Sequence, residues 1–126
     1  MNYTVLYETW QMQCCGEPFR IGDEIEWLVI ESPEDLRVPE GVTVDYYYDA
    51  HDDNWERISV ITGTVTGIDV LYEKFVDGES AADKSIKAES VDGYEQELGD
   101  YSATAYMVQL ADISIRKAKR EEVTFK

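Results

Sequence analysis

A chain of 126 residues with 27 acidic and 11 basic side chains has a formal net charge of -16, which repels phosphate backbones and anionic headgroups. Ordinary nucleic-acid and membrane-surface binding are set aside on that ground. The length fits a single β domain, 1–126, that buries about two-thirds of its unfolded surface and needs no disulfide to fold.

Nine tyrosines and three tryptophans favour a pleated sheet, whose surface takes rings and β-branched side chains better than a helix does. No apolar run approaches the roughly 18 residues of a membrane helix, and no leader pattern opens the chain, so a cytoplasmic location is expected. In that compartment two adjacent cysteines read as thiols or metal ligands rather than a structural bridge. The charge is uneven. Residues 1–63 hold fourteen acids against three bases, and residues 64–126 hold thirteen against eight, with Arg116, Lys117, Lys119 and Arg120 close together.

Residues 2–9 alternate as a first strand, with Tyr3, Val5 and Tyr7 on one side and Thr4, Leu6 and Glu8 on the other. A loop over residues 10–23 follows, in which Gly16, Pro18 and Gly22 turn the backbone and Phe19 and Ile21 dock on the core. Residues 23–30 resume as a strand, Ile25, Trp27 and Val29 facing one way. Ser32-Pro33-Glu34-Asp35 has the makeup of a helix start, and Pro39 limits that helix to about one turn. Residues 42–48 form a short strand ending in three tyrosines, and 49–54 form a polar loop with the lone histidine, His51.

Residues 57–76 are the longest strand-forming run, and Gly63 and Gly67 mark bulges or bends that let one strand serve two sheets. Residues 77–100 turn to Gly, Ser, Asp, Glu and Lys and read as a long acidic, mobile excursion with at most a short helix. Strand character returns over 101–115, with a break near Ala111-Asp112, and a last strand is expected over 123–125. The pattern as a whole predicts a mainly β fold. It is a small antiparallel barrel or sandwich of SH3-like or OB-like size, with one short helix and one long loop. The alternative is an α+β domain with a helix over 78–90.

Trp10-Gln11, Cys14-Cys15-Gly16, Pro18-Phe19, Gly22-Asp23 and Trp27 fall at fixed spacing. In this the chain resembles an uncharacterised family of small bacterial proteins defined only as a domain of unknown function, with the pattern W-Q-x-x-C-C-G-x-P-F leading to G-D-x-V-x-W. Ile25 stands where the pattern has valine, and His51-Asp52-Asp53 and the run from Gly63 to Ile68 match its later elements loosely. The resemblance implies a bacterial cytoplasmic origin and carries no mechanism.

Cys14 and Cys15 with His51 and a neighbouring carboxylate make a candidate zinc site by ligand type, although adjacent cysteines lack the usual C-x-x-C spacing. One cysteine packed as a small hydrophobe beside a partly exposed one, or a reducible vicinal disulfide, are the competing readings. Glu8 and Glu17 near the pair disfavour a reactive thiolate. No G-x-S-x-G, H-E-x-x-H or P-loop pattern is present, so no catalytic set is assigned and the reading leans away from an enzyme.

Tyrosine and tryptophan are enriched at interfaces, which makes Trp10, Tyr47 and Trp55 candidate binding residues beside Cys14 and Cys15. The leading expectation is a non-enzymatic interaction module that binds a protein partner or itself through exposed aromatic residues and an edge strand. A metal- or redox-responsive protein is the alternative, and an acidic mimic of nucleic acid a further one. No cofactor other than zinc is expected.

Overall fold

The computed structural model describes residues 3–14, 16–31, 44–49 and 55–119. Strand β1 (Tyr3–Glu8) leads directly into a six-residue helix, α1 (Thr9–Cys14), and then into the short β2 (Phe19–Arg20). β3 (Glu24–Ile30), β4 (Tyr46–Tyr48) and a single 3₁₀ turn (Trp55–Arg57) follow, then β5 (Ser59–Val76), β6 (Glu79–Ala88), β7 (Ser90–Val91) and β8 (Tyr101–Lys117).

The mainly β expectation holds, and the pairings give it a definite topology. The large sheet runs β3-β4-β1-β8-β5-β6, and β3 also pairs with β5, so β3, β4, β1, β8 and β5 close a ring of five strands. The β1–β4 pair is parallel, with Val5 opposite Tyr46, and the other pairs are antiparallel. β2 and β7 form a separate two-stranded ribbon beside the ring.

β5 serves two neighbours along one edge. Its first part, Ser59 to Thr64, lies against β3, and its second part, Ile68 to Val76, lies against β6, while β8 runs along the other edge. The switch needs the two glycines. A Cβ at Gly63 would lie 3.0 Å from the Ala111 carbonyl oxygen, and the β5–β8 register shifts beside both Gly63 and Gly67. Opposite Gly63, Asp112 adopts φ 53°, the break expected near Ala111-Asp112.

The core fills the ring. Val5, Tyr7, Val29, Ile61, Val65, Val70, Tyr106, Val108 and Leu110 form one buried cluster, with Ile25, Trp27, Tyr46 and Tyr48 packed against it. Two smaller clusters lie on the opposite side of the same strands: Ile30, Ile58, Val60 and Ala118, and Leu6, Leu71, Ala105 and Met107. β1 and β8 are therefore buried on both faces over Val5–Tyr7 and 105–108, where a strand reads as a continuous apolar run rather than an alternation.

Four expectations are corrected. The stretch 77–100 is not one long loop: it holds the ten-residue β6, paired with β5 from Ile68 to Val76, and β7, and only 92–100 is largely irregular. The same strand replaces the helix over 78–90 of the α+β alternative. The loop over 10–23 contains α1, and the helix start expected at Ser32-Pro33 lies outside the described residues. The expected strand over 123–125 is outside them as well. Ile21 is 41% exposed rather than docked, while Phe19 beside it is buried.

Candidate functional site

Side-chain hydrogen bonds to neighbouring strands anchor α1, which is too short to persist alone in water. The Thr9 hydroxyl lies 3.3 Å from the carbonyl of Ala103 and 3.2 Å from that of Thr104 on β8. The buried Gln11 donates through Nε2 to the Tyr48 carbonyl at 3.1 Å, and Gln13 donates to the Gly93 carbonyl. The Gly16 N–H donates to the Gln11 carbonyl at 3.0 Å, a bond that closes the helix end. A Cβ at Gly16 would lie 1.8 Å from the Tyr7 hydroxyl oxygen, so the chain passes the buried Tyr7 only as glycine.

Beyond Pro18 the backbone makes a tight turn, Arg20 to Asp23. Gly22 has φ 98°, a value open to glycine, and the Asp23 carboxylate accepts the Arg20 N–H at 3.0 Å. The turn is tied down on both sides. Ile21 N–H donates to Glu89 at 2.9 Å, Gly22 N–H to Val65 at 2.8 Å, and Val65 N–H back to Asp23 at 2.9 Å. The segment 16–27 is thereby held as a fixed wall.

Three clefts adjoin that wall. One of about 340 Å³ lies between Phe19 and Arg20 on one side and Val91, Asp92 and Glu95 on the other. The second, about 320 Å³, shares Pro18, Phe19 and Asp23 with the first and is lined by Phe19, Trp27 and Tyr48 together with Glu17, Glu24 and Glu26. The third, about 450 Å³, shares Glu24, Ile25 and Glu26 with the second and reaches Thr62, Gly63 and Asp112.

The aromatic wall is a packed set. Tyr7 stacks on Tyr48 with ring centroids 3.8 Å apart, Trp27 meets Tyr48 edge-on at 5.9 Å, and Phe19 meets Trp27 edge-on at 5.1 Å. Such edge-to-face pairs hold the rings at fixed angles. At the far side of the first cleft the Tyr106 hydroxyl donates to the Glu95 carboxylate. Burial, and then the hydrogen bond to Glu95, push the Tyr106 phenol well above the usual tyrosine range. Burial and then the charge of Glu95 raise Tyr72 in the same sense.

Of the candidate residues read from the sequence, Trp10 and Tyr47 fall elsewhere. Trp10 is 48% exposed on α1. Tyr47 points away from Tyr46 and Tyr48, packs against the two outer clusters, and lines a separate cleft of about 40 Å³ with Leu6, Gln11 and Ile30. Trp55 opens the 3₁₀ turn and Cys14 ends α1, but the side chains of both lie outside the described residues, as do Cys15 and His51 entirely. Among the described residues no group of three or more His, Cys, Asp or Glu side chains is placed to hold a metal ion. No helix among them is long and apolar enough to cross a membrane.

The residues that build the clefts, Phe19, Trp27, Tyr48 and Glu95, read as core or loop from the sequence. The signal that finds them is the crossing of an aromatic strand face, Trp27 and Tyr48, with the Glu-x-Glu alternation of Glu24 and Glu26 beside it.

Residues 1–112 match the model of a family of unknown function, DUF6578, and the chain belongs to that family. No curated protein and no solved structure matches it.

Proposed function

Starting from membership in a family to which no activity is attached, we propose that the protein is a non-enzymatic interaction module whose binding site is the group of clefts along residues 16–27. The ligand is an extended segment of a partner protein that carries lysine or arginine. One observation carries the reading: Phe19, Trp27 and Tyr48 line a cleft together with Glu17, Glu24 and Glu26, in a chain of net charge -16.

Aromatic faces attract cations through the ring quadrupole, by about 0.5–1 kcal/mol where exposed and more once desolvated. Carboxylates in the lining add short-range pairing and long-range steering of a basic segment. The fixed turn from Arg20 to Asp23 and the packed rings make the cleft largely preformed, which reduces the ordering cost of binding.

The test is calorimetric titration, with Trp27 fluorescence as a second signal, of a Lys/Arg-rich decapeptide against its Glu-rich counterpart. The basic peptide is expected to bind and to weaken as salt rises, and Glu24→Gln/Glu26→Gln is expected to weaken it by about two- to thirty-fold, from roughly 0.2–1 kcal/mol per exposed pair. Asp77→Asn/Glu79→Gln removes the same charge far along the chain and should leave binding within about twofold, the residual long-range effect. Equal losses in the two variants would reduce the attraction to net charge and overturn the site.

A further inference from the structure

β6 lies along β5 on the edge opposite β8 from Ile68 to Lys74, and past Lys74 the two strands continue alone as a short arm closed by Asp77 and Gly78, with φ 53° and 81°. Positive φ at both central residues is the two-residue turn that suits the right-handed twist of a hairpin. The large sheet ends at β6, and among the described residues β6 pairs with β5 alone. The arm exposes Phe75 at 49% and Val76 at 50%, and β6 exposes Ile86 at 42%. An exposed edge of that length is a template for another strand.

The charges on β6 select which strand. Asp83 lies directly opposite Glu73 of β5, and like charges so placed destabilise a sheet, whereas Lys87 lies opposite Asp69. A cation brought to the open side of Asp83 would offset the repulsion. β6 supplies one itself.

We propose that two copies of the chain associate by antiparallel pairing of β6 with β6, centred on Ser85. A two-fold axis normal to the sheet keeps each side chain on its own face, so a residue can face only a residue of the same parity in the second copy. Five central registers bear on the charges. Centring on Asp83 or on Lys84 places two like charges at the axis. Centring on Ala82 or on Ile86 forms no opposite-charge pair. Centring on Ser85 sets Asp83 of each copy against Lys87 of the other, twice, with Lys84 stems flanking the two Ile86 side chains.

The ladder itself favours the same centre. Its register breaks between Lys74 and Phe75, so the regular stretch of β6 runs from Ala82 opposite Lys74 to Ala88 opposite Ile68. Ser85 is the middle of that stretch.

Sedimentation velocity on the full chain at roughly physiological salt, where long-range repulsion between the acidic copies is screened, tests the pairing. Dimer is expected to grow from about 10 μM to about 1 mM protein by mass action. Asp83→Lys should raise the dissociation constant by about tenfold or more, since it turns two attractions into two repulsions. It should not weaken the fold, because the new lysine faces Glu73. The swap Asp83→Lys/Lys87→Asp should restore association. A wild-type chain that stays monomeric to about 1 mM, an Asp83→Lys variant that associates as well as wild type, or a swap that does not restore the dimer would each overturn the proposal.

Discussion

β5 belongs to both the ring and the arm, and its side chains fare differently in each. From Val60 to Tyr72 it repeatedly buries residues, including Ile61, Val65, Val70 and Leu71, whereas Phe75 and Val76 stand in solvent. In the ring the core-facing side chains are packed against neighbours, and over Val5–Tyr7 and 105–108 both faces are buried. In the arm the backbone ladder and the turn at Asp77-Gly78 set the shape, and the side chains are left available. The nearest ion pair, Lys74 to Asp100 at 3.6 Å, is largely exposed and contributes little. The clefts therefore sit beside the packed ring, and the proposed self-pairing strand at an open edge where most side chains are exposed.

The contrast is sharpened most by Gly16→Ala. The added methyl would meet the hydroxyl of a Tyr7 that cannot retreat, since its ring is buried and stacked on Tyr48, and overpacking of this kind costs about 3 kcal/mol. Urea denaturation measures the loss. Combined with Tyr7→Phe, which removes the offending oxygen, the double variant should lose less than the two singles added together, and additivity would show that the clash is not the cause.

A smaller effect is expected at Tyr106. Its phenol titrates higher in the folded chain than the ordinary value near 10, so its contribution is complete below about pH 10 and lost as pH rises above it, because the unfolded chain releases the proton first. Tyr106→Phe should cost about 1.5 kcal/mol at neutral pH through loss of the bond to Glu95. It should also flatten the fall in stability between about pH 10 and 11 by up to about 1.4 kcal/mol per pH unit. Denaturation curves at about pH 8 and pH 10.5 read both; an unchanged slope would remove Tyr106 from the alkaline transition. The smallest effect belongs to the arm, where Phe75→Ser should change stability by no more than about 0.5 kcal/mol. A loss comparable to that of Gly16→Ala would erase the distinction between arm and ring.

The ring strands were legible because half-buried strands alternate. Val5 and Tyr7, Ile25, Trp27 and Val29, and Tyr106, Val108 and Leu110 all face the core as the period of two requires. The bends at Gly63 and Gly67 were legible because a long strand leaving one neighbour for another needs a residue without a side chain. β6 was not, since Glu-Ser-Ala-Ala-Asp-Lys-Ser-Ile-Lys-Ala is wet on both faces and carries no alternation; the Asp77-Gly78 pair before it was the available mark of a hairpin. α1 was hidden for another reason, because Thr9 and Gln11 hold it through partners on β8 and β4 that no local window contains. The cleft was half legible. Its residue types stood out, but Trp27 and Tyr48 serve the core and the cleft wall at once, and only the packing shows the second role.

The parallel pairing of β1 with β4, and its antiparallel pairing with β8 on the other side, has a consequence in time. Val5 faces Tyr46 and Val108, so β1 must wait for a partner made about a hundred residues later, an interval on the order of 5–20 s at ordinary translation rates. Until then Val5, Leu6 and Tyr7 have only half their sheet. The ring closes last at the strand that was made first, and a chain that stops short of residue 101 has nothing to close it with.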